Sequence, residues 1–146
     1  MARMIVGVIV GYVAIFVLVS VVFTVGFVVL GAGHAFKPGS FEASNLWIAT
    51  GLVMNLIVAI IGGVIAVAIA GRGKAAKVLA IVVFVLGLLL SIPTLMVPRT
   101  GTVRTTDDVP MFEAMSKAEE PRWVPFTLPI VGVIGVLIGG RLKQAD

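Results

Sequence analysis

The chain has no cysteine, one histidine, one tyrosine and little charge: 12% of its 146 residues are Asp, Glu, Lys or Arg. Without cysteine there is no disulfide framework and no thiolate chemistry. A single histidine excludes a zinc site of His and Cys ligands and paired haem ligation. Soluble domains carry about 25% charged residues. At half that density a small chain cannot cover its surface with polar groups, so water is not its main solvent. No GxSxG motif and no second histidine accompany any serine, which leaves no hydrolase arrangement. No acid–base or nucleophile–base pair is visible, so no catalytic residue is expected and the chain is read as non-enzymatic.

What the sequence has is aliphatic residues. The mean hydropathy is +1.18 and 60% of residues are hydrophobic. Four apolar runs stand out, at about 4–30, 46–70, 75–97 and 123–140, with a polar segment at 98–122. A bilayer core takes about 20 apolar residues as helix. The first run would be near 40 Å long as a helix, so it should tilt or protrude. It is also far longer than the core of a cleaved signal and predicts a retained helix. Val and Ile favour strands in water, but a lone strand in lipid leaves its backbone unpaired, so helix prevails. The expected fold is an all-α integral membrane protein, a single membrane domain over 1–146. Its four transmembrane helices form an antiparallel up-down bundle, with the second and third as neighbours across a short link.

The formal charge of +4 comes from bases at the ends of apolar runs: Arg72, Lys74 and Lys77 in one link, Arg141 and Lys143 after the last run. That pattern reads as topology rather than nucleic-acid binding. It puts the 71–77 link and both termini in the cytoplasm, with Trp47 and Trp123 at the outer interface.

Residues 104–123, RTTDDVPMFEAMSKAEEPRW, hold five of the seven acidic residues together with Arg104, Lys117 and Arg122. At about 2.5 kcal/mol each, placing eight charges at mid-bilayer would cost about 20 kcal/mol. The segment therefore lies outside the hydrocarbon, as a solvated connector or contact surface. Asp107 or Asp108 before Pro110 reads as a helix start and Pro121 as a stop. Met111, Phe112 and Met115 share one face, predicting a short amphipathic interfacial helix with an outer contact surface. Asp107 and Asp108 lack the ligand number and spacing of a calcium loop, so no metal site is expected. Before the second run, Ser40 or Ser44 is placed to cap a helix.

Small residues recur at spacings of four: Gly7 and Gly11; Ala59 and Gly63; Gly62, Ala66 and Ala70; Gly135 and Gly139. In lipid such faces let helix backbones approach closely. They serve packing within the bundle or docking to another subunit, and the first helix, with Gly7 and Gly11 among Val and Ile, is the docking candidate. Intramembrane polar residues are few. Ser20, Thr24, Asn55 and Ser91 share a depth in the outer half and form a candidate cluster, with Asn55 in reach of the three hydroxyls. Thr50 and Thr94 lie at similar depth, and Pro93 loosens the third helix nearby. No ionised group sits deep in a span, which argues against ion-coupled transport. His34 is an interfacial side chain; as the lone histidine it is the one candidate for holding a pigment or haem. No cofactor is predicted beyond bound lipid or such a pigment.

FEASNLWIATGLVMNLIVAIIGGVIAVAIAG and PRWVPFTLPIVGVIGVLIGGRL together resemble a group of small four-span bacterial inner-membrane proteins that has no assigned activity. The shared positions are Gly62, Gly63, Pro121, Trp123, Pro129, Gly132, Gly139, Gly140 and Arg141. The resemblance implies a bacterial inner-membrane location and carries over no functional residue. Two functions are expected. One is an accessory or structural subunit packed against other transmembrane subunits of a larger complex, an energy-transducing one among the hosts. The other is a small lipid-handling or solute-conducting protein using the outer polar cluster.

Overall fold

The computed structural model describes residues 1–145. They form five helices: α1 (Ala2–Ala35), α2 (Asn45–Ala70), α3 (Lys74–Met96), α4 (Met111–Lys117) and α5 (Val124–Ala145). Four of these are long and apolar enough to cross a membrane, and among the described residues there is no strand beyond isolated bridges. The protein is an all-helical membrane protein. Helix boundaries follow local chemistry. The Ser44 side chain accepts from the Trp47 backbone N–H at 3.1 Å and caps α2. Ser40 is held in the preceding turn, where its hydroxyl accepts from the Glu42 N–H at 3.3 Å. Gly71, left-handed at φ 63°, closes α2 with its N–H on the Val67 carbonyl. In α1 the regular helix breaks at Gly31, whose φ of 70° and ψ of 167° only glycine adopts readily. The chain is thereby turned just after the 4–30 apolar run, which stays one helix.

The four long helices pack as a bundle, and its most extensive contact joins α2 to α5; α1 packs on α2, and α3 on α5. Contacts between α2 and α3 are the least extensive of the main pairings. The short link therefore does not make these two helices the close neighbours expected: α5 is the main partner of both. Glycine explains why. A Cβ on Gly139 would stand 2.0 Å from the Ile60 carbonyl oxygen, and one on Gly63 would stand 2.2 Å from that of Val136. At those positions the Cα hydrogen points at a carbonyl, a weak C–H···O bond worth about 0.5–1 kcal/mol. Gly135 closes on Ala59 and the Leu56 carbonyl, so residue numbers rise together along α2 and α5. Against α1 they run oppositely: Gly7 meets Ala66 and Ala70, whereas Gly51 meets Phe23.

Gly7 and Gly11 are consumed by this packing. A Cβ on Gly7 would reach 2.6 Å from the Ala66 carbonyl, and on Gly11 2.9 Å from the Ala66 and Leu79 side chains. The face expected to dock another subunit is already filled by α2 of the same chain. The core is correspondingly small-residue: Ala59, Ala66, Ala75 and Ala76 are buried, and Leu79 and Val136 are the largest fully buried side chains. Val, Ile and Phe point outward along α1 instead. In lipid this costs nothing, because acyl chains are as apolar as the core.

Substituting Gly63 by Leu forces a side chain into the Val136 backbone. Overpacking costs about 1–3 kcal/mol or more, so Gly63→Leu should sharply lower the unfolding midpoint in a detergent-denaturant titration. Val28→Ala, on the exposed face of α1, should stay within about 0.5 kcal/mol of the parent protein.

Candidate functional site

One end of the bundle carries the N-terminus and the 71–73 link, with the Gln144 side chain near the C-terminus set against Gly73. This end is closed by Ala75, Ala76 and Leu79. The other end carries residues 36–44 and 98–123, which fold together as a cap. Three isolated bridges tie it: Phe36 with Ala43, Ser40 with Val103, and Glu42 with Glu119. Phe36, Phe41, Ala32, Ala35 and Ala114 form its apolar centre.

Arg104 locks the cap. Its side chain is 3% exposed. Nε donates to the Ser40 carbonyl at 3.0 Å and a terminal nitrogen to the Lys37 carbonyl at 3.3 Å. The guanidinium also pairs with Asp107 and stands 5.9 Å from the Phe36 ring centroid. The Glu119 carboxylate accepts from the N–H groups of Thr100 and Gly101 at 2.9 and 3.1 Å. The segment expected to be a solvated connector or contact surface stays mostly exposed, yet it is folded, because Arg104 and Glu119 are spent on backbone groups that the loops leave unpaired. Its helix begins at Met111 with no side-chain cap from either aspartate and ends at Lys117, ahead of Pro121. Ala114 docks the helix, while Phe112 and Met115 are 85% and 70% exposed and Met111 is half-buried.

Beneath the cap the bundle is open. A crevice of about 390 Å³ is walled by all four long helices, with Ala59, Gly87 and Gly132 contributing little volume. Tyr12, Asn55, Ser91, Thr94 and Glu120 bring its polar groups. Prolines shape them. Pro129 has no N–H, so the Pro125 carbonyl lacks its helical donor. Ser91 Oγ lies 2.7 Å from that oxygen and 2.7 Å from its own Gly87 carbonyl, so one proton is shared between them. Asn55 Nδ2 donates to the Leu128 carbonyl at 3.0 Å. These bonds tie α3 and α2 to α5.

The expected four-residue cluster is thus divided. Asn55 and Ser91 line this crevice. Ser20 and Thr24 line a separate cavity of about 380 Å³ under α4, with Phe27, Phe36 and Trp47. Both hydroxyls donate into their own helix, to Phe16 at 2.9 Å and Ser20 at 2.7 Å. Asn55 bonds a backbone carbonyl and none of the three hydroxyls. His34 is exposed, with Nδ1 2.9 Å from the Leu30 carbonyl. Among the described residues no cluster of His, Asp and Glu is placed to hold a metal.

Sequence reasoning missed Tyr12 and Glu120. Tyr12 carried a signal as the one tyrosine, inside an apolar run; Glu120 carried none, being one of five acids in a charged segment. Glu120 lines both cavities and a third of about 330 Å³ that also holds Arg99, Glu119 and Arg122. Arg99 donates to the Glu120 backbone carbonyl at 2.8 Å, and the carboxyl has no ion pair within the described residues. The Glu120 residue is exposed; the walls around its carboxyl partly desolvate it and push its pKa upward. Glu42 is the converse: a hydrogen bond from Lys37, reinforced by its charge, lowers its pKa.

Two outcomes follow. Arg104→Ala removes charge-assisted bonds worth about 1.5–3 kcal/mol; proteolysis within 98–122 should accelerate markedly, while Asp107→Asn, at an 80% exposed partner, should change it little. For Glu120 the folded pKa lies above the unfolded one, so stability falls as pH rises from 4.5 through the folded value. Water screens most of this at an exposed residue, so in delipidated protein Glu120→Gln should raise the melting temperature only slightly at neutral pH and lose that advantage below pH 4.5.

No protein-family model, no curated protein and no solved structure matches the chain, so its functional reading rests on this geometry.

Proposed function

We propose that the chain is a lipid-binding protein of a bacterial inner membrane, holding a lipid in the crevice between its helices. Its four spans run alternately up and down as an antiparallel bundle. The termini and the basic 71–77 segment, with Arg72, Lys74 and Lys77, face the cytoplasm, and the cap lies on the outer side. There α4 rests in the interface, with Phe112 and Met115 toward the head groups. The observation that carries the reading is the crevice: apolar walls with a few polar groups, Asn55, Ser91, Thr94 and Glu120 toward the cap and Tyr12 toward the other end. Ligand pockets have this make-up, a mostly apolar lining with a few placed polar groups. Solute conduction is less well supported, because the crevice stops at the buried Ala75, Ala76 and Leu79.

A second reading, an accessory subunit of a larger complex, keeps one support. Phe112 and Met115 form an exposed apolar pair on α4 that a partner could cover. It has lost the support of α1, whose glycines pack on α2.

Native mass spectrometry after mild extraction separates the two. The lipid-binding reading expects the chain alone with a retained lipid. Val19→Phe together with Leu90→Phe, which narrow the crevice walls, should cut retention by about tenfold without changing the mass of the protein assembly. Recovery with stoichiometric protein partners and no lipid would support the subunit reading instead.

A further inference from the structure

The three cavities around Glu120 share walls. Thr94 and Pro125 line both the crevice and the charged cavity, and Met115 and Ala118 line both the charged cavity and the one under α4. Two of the spaces are apolar, walled by Ile15, Phe16 and Leu90 on one side and by Phe23, Phe27 and Trp47 on the other. The third is bounded by two bases and two acids. Within it the Glu119 carboxylate is occupied by the Thr100 and Gly101 N–H groups. Arg99 has given one donor to the Glu120 carbonyl and keeps others. Arg122 is exposed and makes no hydrogen bond or ion pair within the described residues. The groups left to meet a ligand are two guanidiniums and the Glu120 carboxyl.

We infer that the bound lipid is a two-chain phospholipid with an ammonium on its head group, its chains in the two apolar cavities and its head between Arg99, Arg122 and Glu120. The inference rests on the lipid-binding reading and narrows its ligand. Guanidinium is the side chain best suited to a phosphate, which it can meet through two parallel N–H bonds. Such a lipid's ammonium donates to the carboxylate that no cation of the chain has claimed. The two bases and two acids of the cavity balance, so a lipid with phosphate alone would leave it net negative, whereas a zwitterionic head group leaves it neutral. A neutral diacylglycerol would leave the guanidiniums with nothing to bind. The branching of the cavities at Glu120 matches a ligand that divides into two tails just below its head.

The test is native mass spectrometry of the delipidated full chain titrated with three dioleoyl lipids: phosphatidylethanolamine, phosphatidylglycerol and diacylglycerol. The ethanolamine lipid should bind about tenfold more tightly than either of the others, the effect of one charged interaction. Glu120→Gln should bring the ethanolamine and glycerol lipids level. Arg99→Gln with Arg122→Gln should bring both down toward diacylglycerol. Equal binding of all three lipids, or a preference that survives Glu120→Gln, overturns the head-group assignment and leaves the lipid-binding reading standing. Binding of none of them sinks both.

Discussion

Close approach of backbones between α2 and α5 is the constraint on which the rest of this architecture depends. Solvent does not press these helices together, since lipid offers apolar side chains as good an environment as the core. What holds them is contact at distances that any Cβ would prevent, at Gly63 against Val136 and Gly139 against Ile60. Once α2 and α5 are in register, α1 is added through Gly7 and Gly11 and α3 through Ala76 on Gly140. The same requirement explains why α5, rather than α2, is the main partner of α3 despite the short link. Sequence proximity brings helices into reach, but glycine positions decide which backbones meet.

Polar side chains then fix what the glycines bring near. The membrane penalises an unpaired backbone carbonyl by several kcal/mol, and a proline inside a helix creates one. Pro129 leaves the Pro125 carbonyl to Ser91, on a neighbouring helix. Asn55 reaches the adjacent Leu128 carbonyl from a third. So α5 is tied to both neighbours near its prolines, on the N-terminal side of its own Gly132, Gly135 and Gly139. The tie holds the helices together without filling the space between them, which is why a crevice persists beside Ser91 and Asn55.

Much of this was legible in the sequence. Helix number, approximate bounds and membrane character follow from apolar run length, a strong signal because lipid leaves so few backbone solutions. Gly63, Gly135 and Gly139 were visible from their spacing, but spacing says only that a face is small. It does not say whether the partner lies in the same chain, and for Gly7 and Gly11 it does. The cap was the hardest part to read. Its order comes from Arg104 reaching carbonyls of Lys37 and Ser40, more than sixty residues earlier in the chain. A guanidinium in a run of charges looks like any solvated base until the loop that it captures is placed beside it. Glu120 escaped notice for the same reason: Thr94 and Pro125, which line cavities with it, come from either side of the charged segment.

The small residues that make the bundle tight also make it open. Gly87 and Gly132 let α3 and α5 touch, with a Cβ on Gly87 only 2.6 Å from the Pro129 ring. Yet on the side facing α1 they present no side chain, and Tyr12, Ile15 and Phe16 do not reach across. Larger residues on that side could fill the gap only by adding volume next to contacts that tolerate none. A bundle held by glycine in lipid therefore tends to keep lateral grooves, and acyl chains are the molecules at hand to occupy them. What distinguishes this groove is its end: it opens beneath a folded cap, beside one unpaired carboxyl and two guanidiniums. Hydrophobic shape alone would accept any acyl chain; on the proposed reading, the charges under the cap supply the discrimination that the apolar walls cannot.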